Sequence, residues 1–285
     1  MSAPVVSATD YLRTGRAAAP PLFSTLFETA ATLEDADMAE LMAEPARLTR
    51  ALVNMQRLLG THTVAVRFDR IIRQAAGEDP VPQGTEPHSM DLPLPDPDAV
   101  RAAAAPLLDT VARLAAELKR ALPVMVMLPG PTWFGSGTDA QAAAQGGAIL
   151  RGLIEACCTA GAGLVLILGR EGSDRDLFAQ FARPLANTAH YYAKPVIVAD
   201  TRVPRSLADA LLMPWGGDAG PTLQIDGGQR LGHRLPAIDP AMGGETGSGW
   251  PVVPPGTFLA IGDDTLRGMT GTAIAQLAER LPRAY

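Results

Sequence analysis

Three unbroken apolar runs constrain this chain more than anything else in it: residues 124–128 (Val-Met-Val-Met-Leu), 164–168 (Leu-Val-Leu-Ile-Leu) and 195–199 (Pro-Val-Ile-Val-Ala). Each is five residues long, and each follows a stretch with helical character. A strand exposed on one face alternates apolar with polar residues. A strand apolar at every position is buried on both faces, as in a parallel sheet covered by helices. Five residues are too few for a buried helix and enough for a strand.

Further segments extend the alternation. Strands are expected at 22–27, 63–69, 222–225, 251–253 and 258–261. Helices are expected at 34–43, 45–59, 97–121, 138–159, 173–192, 206–213 and 270–281. Pro45 suits a first helical position, and Gly60 a C-terminal stop. Leu48, Leu52, Met55 and Leu59 recur at helical spacing between them. Thr138 and Gln141 have the spacing of a capping box. Strand and helix thus alternate about eight times, which predicts an α/β fold and favours a (β/α)8 TIM barrel. No G-x-G-x-x-G follows a strand and no phosphate-binding P-loop is present, so nothing supports a nucleotide-binding sheet. Residues 1–20 read as a lead-in and 21–285 as one barrel domain. The segments 70–96 and 227–256 are rich in proline or glycine and carry no clear period.

Composition excludes several classes. The formal net charge is −6 and no basic run exists, so nucleic acid is not expected as a partner. No apolar run reaches membrane-spanning length and no signal-peptide pattern opens the chain. The two cysteines, Cys157 and Cys158, are adjacent and give neither a disulfide framework nor zinc-site spacing. These features fit a cytoplasmic protein, with the cysteines as small buried residues and no metal site.

Barrel sites lie at the carboxyl ends of the strands. Those ends carry Glu28, then Arg67 and Asp69, Thr132 and Trp133, Arg170 and Glu171, Asp200 and Arg202, Asp226, and Asp263 with Asp264. Many polar residues at strand ends only cap the next helix. Arg67 is different, because it lies inside an expected strand. Side chains alternate faces, so Val64, Val66 and Phe68 share one face, while Ala65, Arg67 and Asp69 share the other. A buried arginine needs a counter-ion, and Asp69 is two residues away on its own face. Arg67 and Asp69 are the candidate catalytic pair. Glu28, Trp133, Arg170, Glu171, Asp200, Arg202 and His233 are candidate substrate-binding residues. His62 and His190 precede strands and read as structural. His233 lies in the glycine-rich segment, from which a loop histidine can reach a site.

The order of features resembles the uroporphyrinogen decarboxylase superfamily over residues 21–281. Four blocks carry the resemblance: Ala43-Glu44-Pro45 through Leu59-Gly60 into Val64-Ala65-Val66-Arg67-Phe68-Asp69; Leu128-Pro129-Gly130-Pro131-Thr132-Trp133; Ile154-Glu155-Ala156 through Gly161-Ala162-Gly163; and Phe181-Ala182-Arg183-Pro184 through Lys194-Pro195. That superfamily includes corrinoid- and coenzyme-M-linked methyltransferases. The resemblance implies a (β/α)8 barrel and places Asp69 at the family's central aspartate. It implies decarboxylase-type lyase chemistry on a carboxylated small molecule, with no cofactor and with arginines holding the carboxylates. The alternatives it leaves open are methyl transfer, with a possible corrinoid-carrying partner protein, and a non-catalytic binding subunit. It also implies a homodimer. Two blocks differ from the family: Phe27-Glu28-Thr29 follow the first strand where the decarboxylases carry arginines, and Leu223-Gln224-Ile225-Asp226 stand where the zinc-binding methyltransferases carry His-x-Cys.

Overall fold

The computed structural model describes residues 8–14, 21–77, 91–118, 122–170, 172–199, 207–213, 230–234, 257–263, 266, 269–270 and 272–274, with backbone only at 13, 213, 230–234 and 257–259. Its strands are β1 (Leu22–Thr25), β2 (Val64–Arg67), β3 (Val124–Pro129), β4 (Leu164–Leu168), β5 (Val196–Ala199), β6 (Ala210–Met213), β7 (Arg230–Arg234) and β8 (Thr257–Gly262). They form one parallel sheet in the order β1-β8-β7-β6-β5-β4-β3-β2. The helices are α1 (Ala8–Thr14), α2 (Glu28–Leu33), α3 (Met38–Ala43), α4 (Pro45–Leu59), α5 (Asp69–Ala75), α6 (Pro97–Leu118), α7 (Ala140–Ala160) and α8 (Arg175–Tyr191). Among the described residues no helix is long and apolar enough to cross a membrane.

The continuous apolar strands divide their side chains between two cores. On one face Val64, Val66, Val126, Val165, Ile167 and Val198 pack with helix residues such as Leu52, Val111, Leu150, Ile154 and Leu185. On the other, Phe23, Ala65, Met125, Met127, Leu164, Leu166, Ile197 and Leu212 pack with Ala8, Tyr11 and Leu12 of α1. This double burial is why β3 and β4 carry no polar residue. The lead-in therefore contributes a helix to the second core.

The ladder runs through seven strand pairs and does not continue between β1 and β2. Those two edges are joined by another set of bonds. His62 N–H donates to Leu22 O (2.7 Å), Leu22 N–H to His62 Nδ1 (3.0 Å) and Ser24 N–H to Thr63 Oγ1 (2.7 Å). One of these is a backbone pair, and in the other two the side chains at positions 62 and 63 accept from the β1 backbone.

Several elements differ from the sequence expectation, each for a local reason. Residues 34–43 do not form one helix. Asp35 has a positive φ of 46°, and Asp37 then caps α3 through Ala39 N–H (2.7 Å). The expected strand 63–69 ends at Arg67, because Phe68 turns to φ −93°, ψ −13° and α5 begins at Asp69. An acidic residue in the first turn suits the positive end of a helix. The start of the segment read as a 70–96 loop is therefore helical. Asp139 caps α7 by accepting from Gln141 and Ala142 N–H (2.9 and 3.0 Å), so Thr138 is not the cap.

The expected helix at 206–213 is instead strand β6. Ala210 and Leu212 face one core and Leu211 the other, a period of two that pairing with β5 and β7 imposes on good helix formers. Strand β7 falls in the glycine-rich 227–256 segment, where Arg-Leu-Gly-His-Arg lacks the apolar run of a buried strand. The strands expected at 222–225 and 251–253 lie outside the described residues.

Candidate active site

Three strand ends come together where the sheet's edges meet. Arg67 is the last residue of β2, on the face of Ala65. Glu28 opens α2, three residues beyond β1. Asp263 follows β8 directly, and β8 pairs with β1. All three side chains are largely buried, and Asp69 at the start of α5 is fully so.

Arg67 sits at the centre. Its Nε donates to Asp69 Oδ1 (3.1 Å) and its Nη2 to Asp69 Oδ2 (2.7 Å), a two-point fork that fixes the guanidinium plane. Its Nη1 lies 3.6 Å from Asp263 Oδ2 and 3.9 Å from Glu28 Oε1. Arg70 Nε lies 3.7 Å from the same Glu28 oxygen. Burial alone would discourage the charge on Arg67. Attraction to Asp69, the hydrogen bonds to it, and the charges of Asp263 and Glu28 outweigh burial and hold Arg67 protonated above its ordinary range.

The sequence expectation that Asp69 pairs with Arg67 holds in geometry, though by a different route. Asp69 reaches back from the first turn of a helix rather than along a strand. Glu28 joins the pair. In the sequence Asp263 is only one of two aspartates at a strand end. Its place beside Arg67 depends on contacts spanning more than 190 residues, which no local pattern encodes.

A second group occupies the ends of β3 and β4. Trp133 lies in a 3-10 turn, Pro131–Trp133, and its Nε1 donates to Leu168 O (2.9 Å). Arg170 Nη1 donates to Gly135 O (3.2 Å) and Thr132 O (3.4 Å), and Nη2 bonds the Asp91 carboxylate. Arg170 thus braces the turn after β3 and ties residue 91 to it. Leu92 extends the contact through hydrogen bonds with Trp133 O (2.8 Å) and Gly135 N (2.9 Å). Gly130 is required here, because a Cβ on it would lie 2.4 Å from the Phe178 ring and 2.7 Å from Leu168 O. Of the remaining candidates, Glu171, Asp200 and Arg202 lie outside the described residues. His233 is placed by its backbone in β7, in register with Met213 and Leu259.

His62, His190 and the two cysteines lie elsewhere. His62 belongs to the β1–β2 junction. His190 Nε2 lies 2.8 Å from Asp209, whose carboxylate also accepts from Val196 N–H (2.7 Å). Cys157 and Cys158 are buried on α7; burial raises the thiol pKa of Cys157 and pushes Cys158 up to about 11, against a small opposing pull from Lys194.

No family model matches this chain, and no curated protein does. Its fold is similar to that of a methyltransferase from Methanosarcina mazei, at TM-score 0.62 and 14% identity, over 95% of this chain and 96% of that one. The GH20 catalytic modules of the pneumococcal exo-β-D-N-acetylglucosaminidase StrH align at TM-score 0.47 and 12% identity, over 93% of this chain and 84% of that one. A chitinase from Chromobacterium violaceum aligns at 0.36 and 15%, over 77% and 69%. The similarity to the first shows the fold; the other two are too distant in geometry to carry weight.

Proposed function

We propose that this chain is a methyltransferase-type enzyme, a divergent relative of the superfamily that holds uroporphyrinogen decarboxylase and the corrinoid- and coenzyme-M-linked methyltransferases. The observation that carries this reading is the backbone agreement with the Methanosarcina mazei methyltransferase along nearly the whole of both chains. Closure into a (β/α)8 barrel is part of the proposal. The bonds between Leu22, Ser24, His62 and Thr63 support it, since they join the two edges of the sheet. In a closed barrel the face of Ala65 and Met127 is the interior, and Arg67 stands at its carboxyl-end rim.

Methyl transfer changes the charge at the attacking and leaving atoms, and fixed charges aimed at those atoms lower the barrier. Arg67 supplies a permanent positive charge in a set orientation. Asp69, beneath it, sets that orientation, while Glu28 and Asp263 balance the charge from the other side. Trp133 and Arg170 form the neighbouring rim, and Glu171, Asp200, Arg202 and His233 remain proposed contributors from β4, β5 and β7.

The zinc-dependent branch of this superfamily holds its metal with cysteine thiolates. The residues here do not fit that group. Both cysteines lie side by side and buried on α7, and among the described residues no cluster of three His, Cys, Asp or Glu side chains is arranged to hold a metal. Thiolate-bound zinc therefore has no place among this chain's residues. A methylated small molecule, or a corrinoid on a partner protein, is the proposed methyl source, and a homodimer is the proposed assembly.

Decarboxylation has less support. Of the arginines expected to hold substrate carboxylates, Arg67 is already engaged, with Nε and Nη2 on Asp69 and Nη1 facing two more carboxylates.

A thermal-shift panel tests the reading with methylcobalamin, methylated thiols, methylated amines, polycarboxylates and tetrapyrroles. A ligand at a hundred times its Kd stabilises by about 2.7 kcal/mol, enough to read as a shift in melting temperature. Stabilisation by a methylated compound, followed by transfer of its labelled methyl group to a thiol or corrinoid, is the expected result. Stabilisation by polycarboxylates alone, with release of carbon dioxide, would overturn it.

A further inference from the structure

The Asp263 carboxylate divides its two oxygens between different tasks. Oδ1 accepts from Thr29 N–H (2.9 Å), from Thr29 Oγ1 (2.8 Å) and from Phe27 N–H (3.1 Å). Oδ2 shares the Phe27 N–H (3.1 Å) and stands 3.6 Å from Arg67 Nη1. One oxygen is committed to the start of α2, and the other also faces the centre of the site.

Both tasks bear on the site's geometry. The N-cap residue of α2, Phe27, has no side chain able to accept a hydrogen bond, so Asp263 performs the capping from across the β1–β8 pair. Glu28 lies between the two residues that Asp263 holds, so its backbone is fixed by Asp263 on both sides. Arg67 Nη1 is shared between Asp263 and Glu28, while Asp69 takes the opposite edge of the guanidinium. Removing the negative charge at 263 leaves Nη1 with Glu28 alone. Glu28 Oε1 is also 3.7 Å from Arg70 Nε, so the same oxygen then serves both arginines.

We infer that Asp263 is a positioning residue of this site, fixing the Arg67 guanidinium directly and Glu28 through the start of α2. The inference deepens the proposed function and rests on it for the kinetic arm of its test; the spectroscopic arm stands without any reaction.

The experiment compares D263N with T29V in the full-length protein. D263N keeps an oxygen that can accept from Thr29 but removes the charge facing Arg67. T29V removes one of the hydrogen bonds to Asp263 and leaves Arg67 untouched. The readouts are melting temperature, the Arg67 side-chain NMR resonances with the rate of guanidinium rotation, and, once a methyl donor has been found, kcat and KM separately. Expected for D263N are faster rotation and shifted Arg67 resonances, with kcat lower by about tenfold or more and KM within about twofold, as displaced reacting groups cost rate. Expected for T29V is a lower melting temperature with unchanged Arg67 resonances and kcat.

If D263N matches T29V, losing stability while its Arg67 signals stay in place, Asp263 is a helix cap only and the inference fails. If D263N does not fold, E28Q decides the matter. Arg67 signals that stay slow and unshifted in E28Q mean that Glu28 is not what holds Nη1 and that Asp263 with Asp69 suffices, as the inference expects; rotation released in E28Q means that Glu28 holds Nη1, and overturns the inference. Should no methyl donor be found, the proposed function fails while the NMR comparison still decides the role of Asp263.

Discussion

Arg67 and Asp69 are two residues apart and meet in a two-point ion pair across the junction of β2 and α5, at 3.1 and 2.7 Å. The pair is buried, with 9% of the Arg67 side chain and 1% of the Asp69 side chain accessible. The backbone turn at Phe68 makes the geometry possible, since a strand continued through position 69 would not bring the carboxylate onto both Nε and Nη2.

Removing Asp69 exposes what the pair contributes. D69A leaves a buried guanidinium without its closest counter-ion, a change that costs about 3–5 kcal/mol. D69N keeps an oxygen acceptor for one of the two bonds and should cost less in stability. Urea denaturation of both variants measures the difference. If methyl transfer is established, D69N should lower kcat about a hundredfold through loss of orientation at Arg67. D69N with wild-type turnover and stability would remove Asp69 from the site.

The turn after β3 gives a second prediction, one that concerns packing. A Cβ on Gly146 would lie 2.0 Å from the Phe134 ring, which is itself fully buried. Phe134 cannot move freely because Leu92 and its neighbours are bonded across the same turn. G146A should therefore destabilise by about 1–3 kcal/mol through overpacking, although alanine is the better helix former. A variant as stable as the wild type in denaturant would show that the ring has room to shift.

Much of this arrangement is legible in the residues themselves. The runs at 124–128, 164–168 and 195–199 announce buried parallel strands, because nothing else requires five apolar residues in a row on both faces. Arg67 announces itself by lying within a strand. What stays hidden has physical causes. Residues 210–213 favour a helix locally and become a strand only through neighbours 13 and 20 residues away in register. Asp139 and Thr138 are both good caps, and only the backbone angle chooses between them. Asp263 looks like any aspartate leaving a strand until its distance to Arg67 is known.

The cysteines give a third prediction. Thiol reagents attack the thiolate, and burial holds Cys157 and Cys158 in the protonated form, Cys158 at about 11. Native protein at pH 8 should therefore react far more slowly with a chromogenic disulfide than protein unfolded in guanidinium, in which both thiols should react at once. Rapid reaction of the native protein would place a thiolate at the surface and reopen the question of thiol-based metal binding.

The β1–β2 junction makes stability depend on pH. Leu22 N–H lies 3.0 Å from His62 Nδ1 and Leu22 O 3.3 Å from it; burial lowers the His62 pKa from its ordinary 6.5, while the contact to the Leu22 carbonyl, to which only a protonated Nδ1 donates, pulls the other way. With the folded pKa below the unfolded one, the unfolded chain binds the proton more readily between the two values. The contribution of neutral His62 is thus fully present above about pH 6.5. It declines as pH falls from there toward the folded pKa, at no more than about 1.4 kcal/mol per pH unit. Melting temperature measured between pH 5 and 8 should fall on the acid side. H62Q removes this titration and keeps a group that can accept from Leu22, so its profile should be flatter over the same range. Parallel profiles for the two proteins would show that the junction does not sense His62.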